Sequence, residues 1–473
     1  MKVRFNKLFT TTSLFLGMAF TAQLQAQDTF RNWEGGTSDD WMDPLNWQND
    51  TIPAGANATA RIYDSTPTIP NNTVLRTRGN ATLKNVWIGQ SGDPTKSGNL
   101  TVQSGATLAT SNDFILNNNS KLTSSGAITV GNTNGIIVRD SAGVTLKNGS
   151  TLNKLNLQGN STATLENGSS VTTLSNLAGS AKLTMHNTYS GNLTTNNSST
   201  LSIGNGGSLT GNLTANNSSS VSIGNGGSHT GDLTANNTSK VTINGTLNGN
   251  FEIGSSTAEQ RIGATGTVNG DVKVSSNDVL TIAGEVSGGQ FSVNGTGKVV
   301  IESTADIRSE GIDSWLYDSA DVTWNVGADG SVGTLRTNHL ESTTGAFDGE
   351  WRYTGSALFT VVLDDYDTTN GLTISLALVS GIQNETTFAS NVRFLLNGEN
   401  VSSDFTYANG IFTGNVVPEP GAYALLAGGL GLAAALTRRA RRRSPAPPRY
   451  ASLPCSPSSN SPCYKFLSPS PFN

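Results

Sequence analysis

The chain has 473 residues, of which only 13% are charged while 53 are glycine. Its polarity comes from Ser, Thr, Asn and Gly, residues that form turns and pleated surfaces more readily than helices, so an all-β fold is favoured over a disordered chain. A net charge of −5 gives no electrostatic case for nucleic acid, and Cys455 and Cys463, both near the end, provide no disulfide framework for the body.

Residues 1–26 carry Lys2, Arg4 and Lys7, then an apolar stretch from Leu14 to Phe20, then Ala22 and Ala26 before Gln27. This is the pattern of a secretory signal peptide cut after Ala26. A retained N-terminal anchor is the alternative, although the apolar run is short for a span. Export is expected in both cases.

Residues 27–95 form a tryptophan-containing segment with Asn32-Trp33-Glu34-Gly35-Gly36, Trp41, Asn46-Trp47 and Pro53. Trp33, Trp41 and Trp47 are candidate glycan contacts, since indole rings stack on sugars. The competing use is to close the open end of a hydrophobic column. The segment resembles those that often precede β-helical, autotransporter-passenger-like bodies in envelope proteins.

An internal repeat follows. Gly191 to Thr210 matches Gly211 to Thr230 at 16 of 20 positions, and a third copy starts at Gly231. Within the copies, the pairs Leu201 and Ile203, Val221 and Ile223, and Val241 and Ile243 alternate with polar neighbours, the period-2 signature of a half-buried strand. Leu193, Leu213 and Leu233 open the preceding strand of each copy. Short strands and Asn- or Gly-rich turns recurring every 20 residues predict the coils of a parallel β-helix.

Similar texture around Leu100, Ile128, Ile282 and Ile301 extends this solenoid over about residues 96–310, in about ten coils. The absence of proline between Pro94 and Pro418 suits uninterrupted ladders. A series of β-sandwiches is the rival architecture. Asn196, Asn216 and Asn236, with Asn197, Asn217 and Asn237, keep the repeat phase and are expected to stack as amide ladders. A flat Asn/Thr array with Thr194, Thr214 and Thr234, binding glycan or ice, is the alternative use of the same residues.

The sequence contains no constellation for catalysis. His186 and His339 are isolated, and His229 takes the phase of Leu209. Only ten Asp, Glu, Lys and Arg residues lie between 99 and 250, scattered where a polysaccharide lyase would need clustered carboxylates and a basic group. Asp364-Asp365-Tyr366-Asp367 with Asn370-Gly371 offers oxygen ligands of the kind calcium takes, but departs from EF-hand spacing and falls between two apolar runs, as a hairpin turn would. No cofactor or metal is expected.

Residues 311–416, with Trp315, Trp324, Trp351 and Tyr353 and the apolar runs Leu358–Leu363 and Leu372–Val379, predict a separate antiparallel β unit. Val417-Pro418-Glu419-Pro420 then leads into an uncharged stretch of 17 residues, Gly421 to Thr437, followed by Arg438, Arg439, Arg441, Arg442 and Arg443. As a helix rising about 1.5 Å per residue, that stretch reaches roughly 25 Å, the short limit of a membrane span, and the arginines hold its end on the cytoplasmic side.

This order over residues 417–443 resembles the PEP-CTERM sorting signal of Gram-negative bacteria. The resemblance implies an exosortase as processing partner, with Val417, Pro418, Glu419 and Pro420 as the sorting motif, the five arginines as the membrane stop, and the inner membrane as the location before release to the surface. A plain C-terminal anchor is the alternative. The chain departs from the pattern by continuing for 30 residues, 444–473, which hold eight of the fifteen prolines and no apolar periodicity, so disorder is expected there.

The expected architecture is therefore an all-β parallel β-helix with an N-terminal cap, a C-terminal antiparallel unit and one C-terminal transmembrane helix. The expected function is a noncatalytic exported surface or extracellular-matrix protein, structural or adhesive. A module binding extracellular polysaccharide is the alternative, and a β-helical polysaccharide-degrading enzyme is the third reading.

Overall fold

The computed structural model describes residues 29–415, apart from 64, 70–73, 76–82, 255, 276, 310–314, 317–318, 329, 338–351, 354–356, 366–372, 377, 381–384 and 410. The signal segment, the sorting motif Val417–Pro420 and the arginines from Arg438 to Arg443 lie outside the described residues. Trp351, Asp367, Asn370 and His339 do too.

The body is a parallel β-solenoid of about 11 turns. Among the described residues three long sheets run along it, of 18, 16 and 9 strands, with a small antiparallel sheet of 3 strands. The repeat region shows why. Leu193–Thr195 joins the first sheet, Thr200–Ile203 the second and Ser208–Thr210 the third, each paired in register with its counterpart one coil later. The pairs Leu201↔Val221 and Ile203↔Ile223 show the 20-residue step directly. A shift of a single residue would turn each aliphatic side chain outward, so the register is strongly specified.

The inward columns are continuous. In the second sheet Val144, Ala163, Leu183, Leu201, Val221 and Val241 follow one another, beside Leu146, Leu165, Met185, Ile203, Ile223 and Ile243. All are buried. Each aliphatic side chain so removed from water contributes roughly 1.5–3 kcal/mol of hydrophobic stabilisation, which conformational entropy opposes.

The corners explain the polar residues of the repeat. Asn197, Asn217 and Asn237 have φ of 58°, 56° and 61°, the left-handed conformation that Asn tolerates best after glycine. Two residues later Ser199, Ser219 and Ser239 are fully buried, small enough for the chain to turn sharply around them. At the opposite corner Gly191, Gly211 and Gly231 stack directly: a Cβ on Gly211 would lie 2.6 Å from the carbonyl of Gly191.

The parallel ladders run past the expected limits of 96 and 310. At the N-terminal side Thr29–Asn32 pairs in parallel with Ala58–Ile62, which pairs with Asn85–Ile88. Beyond residue 310, Asp321–Asn325 pairs with Leu358–Val362, and that strand with Val392–Leu396. Most of the predicted antiparallel unit thus continues the solenoid, through longer coils. Among the described residues after 310, antiparallel pairing is confined to Thr373–Leu376, Phe405–Ala408 and Ile411–Asn415, plus the tight hairpin joining Val392–Leu396 to Glu399–Asn400. Phe388, Phe394 and Phe412 pack edge to face beneath these strands, with Phe394 stacked 3.7 Å from Phe405.

The short helix Glu385–Ser390 is far below membrane-spanning length. Among the described residues no helix is long and apolar enough to cross a membrane.

Candidate functional surface

The second sheet turns one continuous polar face outward. Between the two inward residues of each strand stands a hydroxyl residue, and these pair in register as Thr101, Thr123, Thr145, Thr164, Thr184, Ser202, Ser222 and Thr242. Every one of them is half-buried. At the parallel spacing of about 4.8 Å between strands, they make a straight hydroxyl row.

Beside that row runs a second outward column, in which Lys121, Lys182, Lys240 and Lys298 occupy every third coil. All four are exposed, about 14 Å apart along the axis. The sequence carries a signal for this row, a Thr or Ser between the two inward positions of each strand, which is weaker than the exact recurrence of the Asn positions in the repeat.

The Asn positions form ladders. Asn216 Nδ2 donates to Asn196 Oδ1 at 3.2 Å and Asn236 Nδ2 to Asn216 Oδ1 at 3.0 Å, while Asn237 reaches Asn217 at 3.4 Å. Gly254 follows Asn236 in register and ends the first ladder. A second set runs along the glycine corner, where side-chain oxygens accept backbone N–H bonds from the next coil. Asn192 accepts from Asn212 (2.8 Å), Asp232 from Asn250 (3.1 Å), Asn250 from Asp271 (2.9 Å) and Asp271 from Gln290 (2.8 Å). Amides used this way hold coils together. Thr194, Thr214 and Thr234 do form an outward stripe on the first sheet, but it gives way after three coils to Glu252 and Lys273, which pair at 3.0 Å.

No protein-family model, curated protein or solved structure matches the chain.

The remaining candidates fall as follows. Trp33, Trp41 and Trp47 are 5%, 0% and 0% exposed. Trp47 meets Trp33 and Trp41 edge-on at 4.9 and 4.6 Å between centroids, and its Nε1 donates to the Trp41 carbonyl at 2.8 Å. With their faces taken by one another, these rings offer no platform to a sugar in this arrangement. Asn46 braces the same turn, its Oδ1 accepting from the Thr37 and Ser38 N–H groups.

His229 is fully buried in the third-sheet column between Leu209 and Leu247, and burial holds its pKa below the ordinary value. His186 Nδ1 lies 3.2 Å from the Asn205 carbonyl. Asp364 and Asp365 are exposed, and Asp364 Oδ1 accepts the Asn397 N–H at 2.6 Å, bracing the turn of the next coil. Among the described residues no three His, Cys, Asp or Glu side chains gather as a metal would require.

Sequence reading also missed Gln260, fully buried in an aliphatic column. The second-sheet pairing there covers only Thr242↔Arg261 and Ile243↔Ile262. Gln260 Oε1 instead accepts the Val241 N–H at 2.6 Å, and its Nε2 donates to the carbonyls of Ser239 and Ala258. The side chain replaces a missing ladder contact.

Proposed function

We propose that this chain is a noncatalytic exported surface or matrix protein whose solenoid acts as a rigid spacer and displays an adhesive face to extracellular polysaccharide. The observation that carries this reading is the hydroxyl row from Thr101 to Thr242 with its lysines at every third coil. A rigid, flat row of hydroxyls meets an extended glycan without ordering loops first, which keeps the entropic cost of binding low. The lysines favour an anionic polymer lying along the axis, and their contribution should weaken as salt rises.

Delivery in this proposal follows the PEP-CTERM-like tail. The apolar stretch Gly421 to Thr437 stops in the inner membrane, Pro418 and Pro420 keep the preceding backbone extended, and an exosortase cuts nearby. Nucleic acid has no part in this reading. A carbohydrate-binding module is its narrower form, and the enzyme reading would need a carboxylate cluster outside the surfaces described above.

The deciding experiment is a polysaccharide array probed with the exported protein and with a Lys182→Gln, Lys240→Gln double variant. Binding to anionic polymers that drops in the variant supports the adhesive face. Equal binding by both proteins refutes it.

A further inference from the structure

On the outer side of the first sheet, near the N-terminal end of the solenoid, lies a cleft of about 390 Å³. Its floor is a cross-strand column of Arg61, Trp87 and Ile115, neighbours on three successive parallel strands. Its walls come from Tyr63, Asn117 and Arg139, each just past the end of a strand of the same sheet. Gly89 makes the close approach possible: at φ 74°, a Cβ there would sit 2.6 Å from the Asn117 carbonyl.

The chemistry of the lining is specific. The Arg61 guanidinium lies 3.8 Å from the centroid of Phe30 and 5.2 Å from that of Trp87, so ring faces hold the cation in place. Neither Arg61 nor Arg139 forms an ion pair among the described residues. Asp140, next to Arg139 in the chain, is turned to the Asn118 N–H at 3.0 Å.

Three buried polar atoms of the lining also lack a partner among the described residues: Arg61 Nε, Trp87 Nε1 and Asn117 Oδ1. Asn117 is 5% exposed and donates one Nδ2 hydrogen to the Gly89 carbonyl at 3.2 Å, leaving the oxygen as an acceptor. Buried polar groups in native proteins are ordinarily satisfied, so these three call for a partner from water, an ion or a ligand. Burial raises the pKa of the Tyr63 hydroxyl, which keeps it a donor at neutral pH.

We propose that this cleft binds a carboxylated sugar unit of an acidic polysaccharide, with the ring carbons against Trp87 and Tyr63, the carboxylate at Arg61 and Arg139, and a hydroxyl donating to Asn117 Oδ1. A bare inorganic anion would use the cations and leave the aromatic floor unfilled. A neutral sugar would use the floor and leave two guanidinium groups uncompensated, and only a ring bearing a carboxylate answers both. The cleft is on a different sheet from the hydroxyl row, so its occupancy stands or falls separately from the adhesive face.

The test is calorimetry and tryptophan fluorescence on the exported protein, with tetragalacturonate, maltotetraose and AMP as probes. Tetragalacturonate is expected to bind, at least tenfold more tightly than maltotetraose, with affinity falling as salt rises. Arg139→Gln should weaken it at least tenfold, Trp87→Ala should abolish the fluorescence change, and Lys273→Gln, many coils from the cleft and outside the hydroxyl row, should leave it unaltered. Circular dichroism confirms that each variant is folded. Should Arg139→Gln fail that check, Arg139→Lys serves in its place, because it keeps the charge, loses the bidentate fork and is still expected to bind several-fold more weakly. No binding of tetragalacturonate, equal binding of maltotetraose, tighter binding of AMP, or full affinity in the folded Arg139 variant overturns the proposal.

Discussion

His229 stands directly on Leu209 in the third sheet, with its Nδ1 3.1 Å from the Leu209 carbonyl oxygen and its Nε2 3.4 Å from that of Asp232. A neutral imidazole has one N–H to give, so a single hydrogen bond is made and a second carbonyl waits for a proton. Desolvation opposes that proton and prevails over both carbonyls and the charge of Asp232, giving a pKa below 6.5.

Stability should therefore depend on pH in a definite direction. In the unfolded chain His229 takes up a proton as pH falls through about 6.5, whereas the folded protein resists until a lower pH. The unfolded state then binds more protons, and stability contributed by this group, present above 6.5, is lost as pH drops towards the folded pKa. His229→Leu, which copies Leu209, should remove that loss. Urea unfolding at pH 7.5 and 5.5 is expected to show a smaller difference in the variant than in the parent.

Gln260 makes a second case. Replacing it with Leu keeps the volume but orphans the Val241 N–H and takes the Gln260 donor from the Ala258 carbonyl, while the Ser239 carbonyl keeps its bond from Ser256 Oγ. Unsatisfied buried groups cost about 1–3 kcal/mol each, so a loss of at least about 2 kcal/mol is expected. Denaturant titration measures it. A neutral result would mean the backbone closes on itself there.

Asn217 and Asn216 are adjacent and serve different ends. Asn217 holds the left-handed corner at φ 56°, so Asn217→Gly should be nearly neutral and Asn217→Val should cost about 1–3 kcal/mol. Asn216 both donates to Asn196 and accepts from Asn236, so Asn216→Ala breaks two amide bonds at about 1 kcal/mol apiece. Thermal unfolding of the three variants separates backbone strain from ladder loss.

Deleting Gly211 to Thr230 should leave a folded protein. The strands on either side, Leu193–Thr195 and Leu233–Asn236 among them, would restack with aliphatic columns and Asn ladder in phase, because each coil touches only its neighbours. Removing Gly211 to Ser220 alone shifts those columns by half a coil and should expose them to limited proteolysis. Equal resistance of the two deletions would mean that the coil is not the unit of stability.

The 20-residue period and the inward pairs such as Leu201 and Ile203 were determined by the sequence alone. The copies are consecutive and nearly identical, and strand periodicity is a local property. The left-handed Asn corners and the amide ladders follow from the same repetition. Only the tertiary structure decided how far the stacking runs. The coil between Asp321 and its neighbour Leu358 is far longer than 20 residues, and such an excursion erases the phase in the sequence while the ladder above it resumes unbroken. It also decided which aromatics are closed off and which line a cleft: Trp33, Trp41 and Trp47 bury one another, whereas Trp87 lines a cleft with Arg61 and Asn117 from other coils. Those partners lie more than 20 residues apart in the chain, and only stacking of the coils brings them together.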